Sequence, residues 1–127
     1  MDWMNFTEIK PPRRFVAGDV EVQHCANVAL QSDEQVTFIT ESGKEYDVMR
    51  KSWGFFATPS INHRLKNFGL RGVLIQDSAD KRFVCLVEEG KEDRFLSFLN
   101  TDKARILCWL DEEIPEIIGD VTQIEKV

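Results

Sequence analysis

From Val20 the chain alternates at period two, with Val20, Val22, His24, Ala26, Val28 and Leu30 on one face and Glu21, Gln23 and Asn27 between them, the pattern of a half-buried strand. Gly18-Asp19 predicts a break or bulge just before it. Gln31-Ser32-Asp33-Glu34 is turn-like. Next, residues 35–40 and 45–49 form two β-rich runs around Ser42-Gly43, which predicts a hairpin. Leu70 to Gln76 and Lys81 to Glu88 are apolar strands parted by Asp77-Ser78-Ala79-Asp80, a second hairpin.

Two stretches carry the helical period instead. Thr58-Pro59 offers a cap followed by proline in a first turn, Ile61, Leu65 and Phe68 share a face, and Gly69 suits a C-terminal stop, so a helix of about ten residues is predicted there. From Gly90 to Asn100, Phe95, Leu96, Phe98 and Leu99 recur among Lys91, Glu92, Asp93 and Arg94, a second amphipathic helix. Ala104 to Leu110 closes as a strand, and this strand-helix-strand run favours a right-handed crossover if its strands are parallel. The prediction is therefore an α+β fold: a single domain over residues 1–127, with a mostly antiparallel or mixed β-sheet and two short helices. Residues 1–12, with Trp3, Met4, Phe6 and Ile9 ahead of Pro11-Pro12, are expected to form an N-terminal arm, and 111–127 an acidic and apolar C-terminal extension. In that extension Ile114, Ile117, Ile118, Val121 and Ile124 recur at helical spacing, although their β-branching equally suits a strand, and Pro115 and Gly119 weaken a helix. In either form they need a covering surface, which predicts self-association.

Composition adds a size and a charge. A chain of 127 residues with 43% apolar and 30% charged residues matches one folded domain. A net charge of -6 and a pI near 4.9 oppose binding to nucleic acid or anionic lipid, since both begin with basic surface. No window approaches a membrane span and no export signal opens the chain, so no membrane is expected and the compartment is expected to be cytoplasmic. Cys25, Cys85 and Cys108 are odd in number and unclustered, as free buried thiols in a reducing compartment would be.

One charge anomaly stands out. Residues 48–76 contain no acid, although acids make up 22 of the 127 residues. The same window carries Arg50, Lys51, Arg64, Lys66 and Arg71 together with Trp53, Phe55, Phe56 and Phe68. Aromatic walls beside cations, hydroxyls such as Ser60 and a helix start suit a small anion bearing a ring, and His63, Arg64 and Lys66 lie off the Ile61-Leu65-Phe68 stripe. The candidate ligand-binding set is Arg50, Lys51, Trp53, Ser60, His63, Arg64, Lys66 and Arg71, for a phosphorylated or carboxylated small molecule. The alternative is that the aromatics are core and the cations complement the acidic remainder or an acidic protein partner.

Catalytic signals are thinner. His24 and His63 are the only histidines, and adjacent His24 and Cys25 point to opposite faces, so neither a metal nor a Cys-His pair is expected. No cofactor motif is present; Ser42-Gly43-Lys44-Glu45 lacks the spacing of a phosphate loop. Ser60 and His63 lie one helical turn apart without an orienting carboxylate, and Tyr46 and Asp47 are acid-base candidates only if their hairpin borders the window. Catalytic residues are thus not assigned.

Glu45-Tyr46-Asp47, Lys51, Trp53-Gly54-Phe55, Ala57-Thr58-Pro59-Ser60 and Arg64-Leu65-Lys66 resemble short uncharacterised bacterial proteins associated with surface-polysaccharide and nucleotide-sugar gene neighbourhoods, over about residues 24–100. The resemblance implies a bacterial cytoplasmic protein and an anion of the sugar-phosphate or sugar-acid class. The expected function is a non-enzymatic binding or accessory protein, self-associating or joined to an acidic partner. The alternatives are a small enzyme of sugar-nucleotide metabolism using His63, Tyr46 or Asp47, and a purely structural interaction protein.

Overall fold

The computed structural model describes residues 4–112; the apolar series from Ile114 to Ile124, and Trp3, lie outside the described residues. The chain divides into two compact units. The first comprises the residues up to Phe38 together with Asp47–Thr58, and the second Ile39–Tyr46 and the residues from Pro59 onward. Described strands and helices follow the order β1 (Asn5–Ala17), β2 (Val20–Ala29), β3 (Gln35–Ile39), β4 (Glu45–Lys51), β5 (Gly54–Ala57), α1 (Arg64–Asn67), β6 (Leu70–Gln76), β7 (Arg82–Glu88), α2 (Glu92–Asp102) and β8 (Arg105–Trp109). This is the mostly antiparallel α+β architecture with two short helices, divided among three small sheets.

In the first unit β1 and β2 form a long antiparallel hairpin that turns at Gly18, where φ is +60°. The predicted alternation holds from Val22 onward: Val22, His24, Ala26, Val28 and Leu30 are half-buried and the residues between them exposed, whereas Val20, expected on the same face, is exposed beside the hairpin turn. The expected arm is instead strand from Asn5 onward. Its register skips between Glu8 and Arg13, the stretch containing Pro11 and Pro12, because proline brings no N–H to the ladder. The strands β3, β4 and β5 form a second sheet in that order. Here β5 was not predicted; Ser52-Trp53 makes a tight turn that pairs Lys51 with Gly54 and Arg50 with Phe55.

The second unit holds the apolar core. Its sheet runs β7-β6-β8 with both neighbours antiparallel to β6, so β7 and β8 run parallel to each other across it. Val73, Ile75, Val87 and Leu99 form the buried cluster, with Cys85, Phe95, Ala104, Ile106 and Trp109 packed against it, so α2 closes one face of the sheet. Acidic Glu92 and Asp93 in the first turn of α2 favour the helix through its dipole, and Lys103 in the left-handed region ends it. The first helix is only four residues long, not ten. The hydroxyl oxygen of Ser60 accepts the Arg64 N–H at 2.9 Å and the Ser60 carbonyl accepts the Leu65 N–H, so Ser60, rather than Thr58, organises its start. Gly69, at φ +83°, terminates it as predicted. The cysteines differ from expectation too: Cys85 is half-buried, whereas Cys25 and Cys108 are exposed. Cys108 pairs with Leu74 on the sheet face opposite the α2 cluster, which explains its exposure. Among the described residues no helix is long and apolar enough to cross a membrane.

Candidate functional site

The basic window falls in both units, and its cations are engaged within the chain. In the first unit Arg50, on β4, donates to the Leu30 carbonyl at 3.4 Å, and Lys51 binds Asp33 at 2.6 Å. In the second, Arg71 at the start of β6 makes a two-pronged contact with Asp111, Nε to Oδ2 at 2.8 Å and Nη2 to Oδ1 at 3.1 Å. Its guanidinium carbon lies 4.0 Å from the centre of the Trp109 ring, and Nη1 lies 3.8 Å from Glu92. Lys66 reaches the same Asp111 carboxylate at 3.8 Å, and Arg64 lies over the Phe68 ring. The Asp111 side chain is 1% exposed, and the Arg71 hydrogen bond holds its carboxyl below the usual carboxylate range against the opposing effect of burial. The same contact raises Arg71. The acids missing from 48–76 are thus supplied from outside it, by Asp33, Glu92 and Asp111.

Ser60 spends its hydroxyl oxygen on the Arg64 N–H, and His63 sits exposed at the helix start with its own N–H on the Ser60 carbonyl. A four-residue helix whose first amides are satisfied by Ser60 presents no anion-binding end. Of the acid-base candidates, Tyr46 is half-buried, which pushes its phenol above the usual value. Asp47 is buried and accepts the Thr37 hydroxyl at 2.5 Å. His24 is half-buried with Nε2 on the Ala26 carbonyl at 3.0 Å, and its Nδ1 is buried without a hydrogen-bond partner. Among the described residues no three His, Cys, Asp or Glu side chains gather as metal ligands would.

The aromatics behave differently from the cations. Trp53 keeps 69% of its surface exposed, Phe55 66% and Phe56 48%, and the Trp53 and Phe56 rings stand 6.4 Å apart. They crowd onto β5, the edge strand of its sheet, and its preceding turn. Phe55 also lines a groove of about 450 Å³ with Ala26, Val28, Leu30, Val36, Phe38 and Val48. Among the described residues the six buried apolar side chains, Leu65, Leu70, Val73, Ile75, Val87 and Leu99, all belong to the second unit. The pattern along the chain did not single out Phe38 or Val36 as site residues, because in a strand they resemble any core position; the detectable signal was the aromatic density at 53–56.

Comparison with protein-family profiles, with curated proteins and with solved structures finds no match for this chain.

Proposed function

We propose that this chain is a non-enzymatic binding or accessory protein of the bacterial cytoplasm that grips an extended apolar segment of another polypeptide beside β5. The observation that carries the reading is the exposure of Trp53 and Phe55 at a sheet edge, in a unit that fully buries no apolar side chain among its described residues. Large exposed apolar groups in one place mark binding surfaces, and aromatic anchors supply most of the energy at such surfaces. An open strand edge offers a row of backbone donors and acceptors, and the adjoining apolar groove offers pockets for alternate side chains of an added strand. The cations support the same choice. Lys51, Lys66 and Arg71 are spent on Asp33 and Asp111, so the charge left to attract a small anion is reduced.

Selection of peptides from a displayed random library against the folded protein tests this. Enriched peptides are expected to be apolar and β-prone, and to lose binding to Phe55→Ser. A library that yields peptides indifferent to Phe55→Ser and Trp53→Ser overturns the reading. So does a melting temperature raised by sugar acids or nucleotide-sugars and returned to baseline by Arg64→Glu with Lys66→Glu, which restores the small-anion alternative.

A further inference from the structure

The edge strand β7 of the second unit is seven residues long, free of proline, and apolar between Arg82 and Glu88. Phe83 and Val84 keep 48% and 65% of their surface, while the adjoining β6 is covered along most of its length. Bare edges of this kind recruit further strands unless something blocks them. Three other edges carry such blocks, while β5 is the open edge of the proposed binding surface: β1 holds Pro11 and Pro12, β8 has an irregular register opposite Leu74 and Ile75, and β3 is bracketed by Asp33, Glu34 and Glu41. A symmetric copy of β3 would set like charges against each other, whereas the charges of β7 do the reverse.

We propose that β7 pairs with β7 of a second copy, antiparallel about a two-fold axis at Cys85, joining two three-stranded sheets into one of six strands. A two-fold axis makes such pairing self-complementary. In this register Arg82 faces Glu88 of the partner subunit, Val84 faces Leu86 of the partner subunit, and Phe83 faces Val87 of the partner subunit. Opposite charges and apolar pairs directly across a ladder are each stabilising. Arg82 is already anchored through its Nε–H on the Gln76 side-chain oxygen at 2.9 Å. Glu88 accepts from the Ser42 hydroxyl and meets Lys91, and its side chain is only 11% exposed, so its charge acts on Arg82 of the partner subunit at longer range and the exposed Val84 and Phe83 carry most of the contact. On the α2 face Leu96 and Phe98, about half exposed, flank the buried helix stripe and add apolar surface on the same side of the sheet.

Sedimentation of the full chain over a concentration series decides this. The wild type is expected to be a dimer that dissociates only on dilution. Val84→Lys, at an exposed site that leaves the monomer fold intact, is expected to weaken dimerisation by at least about tenfold. Arg82→Glu, which sets two carboxylates opposite each other, acts in the same direction should the lysine variant misfold. Trp53→Ser and Phe55→Ser are expected to leave the dimer unchanged, so this contact and the β5 surface fail separately. A chain that stays monomeric at about 100 μM, or a dimer indifferent to both Val84→Lys and Arg82→Glu, overturns the proposal.

Discussion

Replacing Asp111 by Asn removes one charge and almost no volume at the point where Arg71, Trp109, Glu92 and Lys66 meet. The carboxylate receives two guanidinium hydrogen bonds at 2.8 and 3.1 Å and is 1% exposed, so water cannot take its place. Hydrogen bonds to charged groups contribute about 1.5–3 kcal/mol each, and breaking a buried pair costs about 3–5 kcal/mol. Two features lower the figure: Arg71 is itself 24% exposed and retains Glu92 at 3.8 Å, and the amide still offers one acceptor oxygen. A loss of about 2 kcal/mol is expected from urea unfolding followed by far-UV circular dichroism. Lys66→Met should cost under about 0.5 kcal/mol, because that ammonium is 45% exposed and 3.8 Å away. The pH dependence supplies a second arm. Asp111 lies lower when folded than unfolded, so its contribution is complete above the unfolded value near 3.9 and is lost as pH falls through the folded one. The Asn variant should lack that part of the acid limb. Equal losses for Asp111→Asn and Lys66→Met, or an unchanged acid limb, would refute the assignment of this carboxylate as the anchor of β6 and β8.

Leu99→Ala, at 4% exposure beneath the sheet, is expected to cost about 3 kcal/mol, whereas Leu96→Ala, at 45%, should cost under about 1 kcal/mol in the same unfolding assay. Gly69→Ala forces a side chain into φ +83° and against the Lys44 stem; the lysine can move, so about 1 kcal/mol of backbone cost should appear in the melting curve. Glu88 is lowered to about 2, chiefly by Lys91 and then by Thr40 and Ser42. Its contribution therefore holds above the ordinary glutamate range and is lost as pH falls toward 2, and Glu88→Gln should speed amide exchange in the Thr40–Lys44 turn.

Much of the fold was legible because local burial imposed local periodicity. The alternation from Val22 to Leu30, the Leu70–Glu88 hairpin and the Phe95–Leu99 stripe each place apolar groups at the spacing their backbone requires. What escaped is governed by contacts distant along the chain. Arg71 and Asp111 are forty residues apart, and no pattern around either announces the other. The four-residue β5 is too short to show a period, and its aromatics occupy both faces, so alternation had nothing to register. Thr58 and Ser60 both offer capping chemistry in the sequence, but the N-cap position falls at His63, and Ser60 acts from three residues earlier by accepting the Arg64 N–H. The cluster of aromatics at 53–56 was visible; that its members stand exposed while the cations beside them turn to Asp33 and Asp111 required the fold.

Backbone amide exchange of β5 during titration with a selected apolar peptide tests the proposed binding surface most directly. Protection is expected at Phe55 and Phe56, with spreading along the groove at Val36 and Val48, and it should vanish in Phe55→Ser. Protection centred on Arg64, Lys66 and Arg71, with β5 unaffected, would contradict the account.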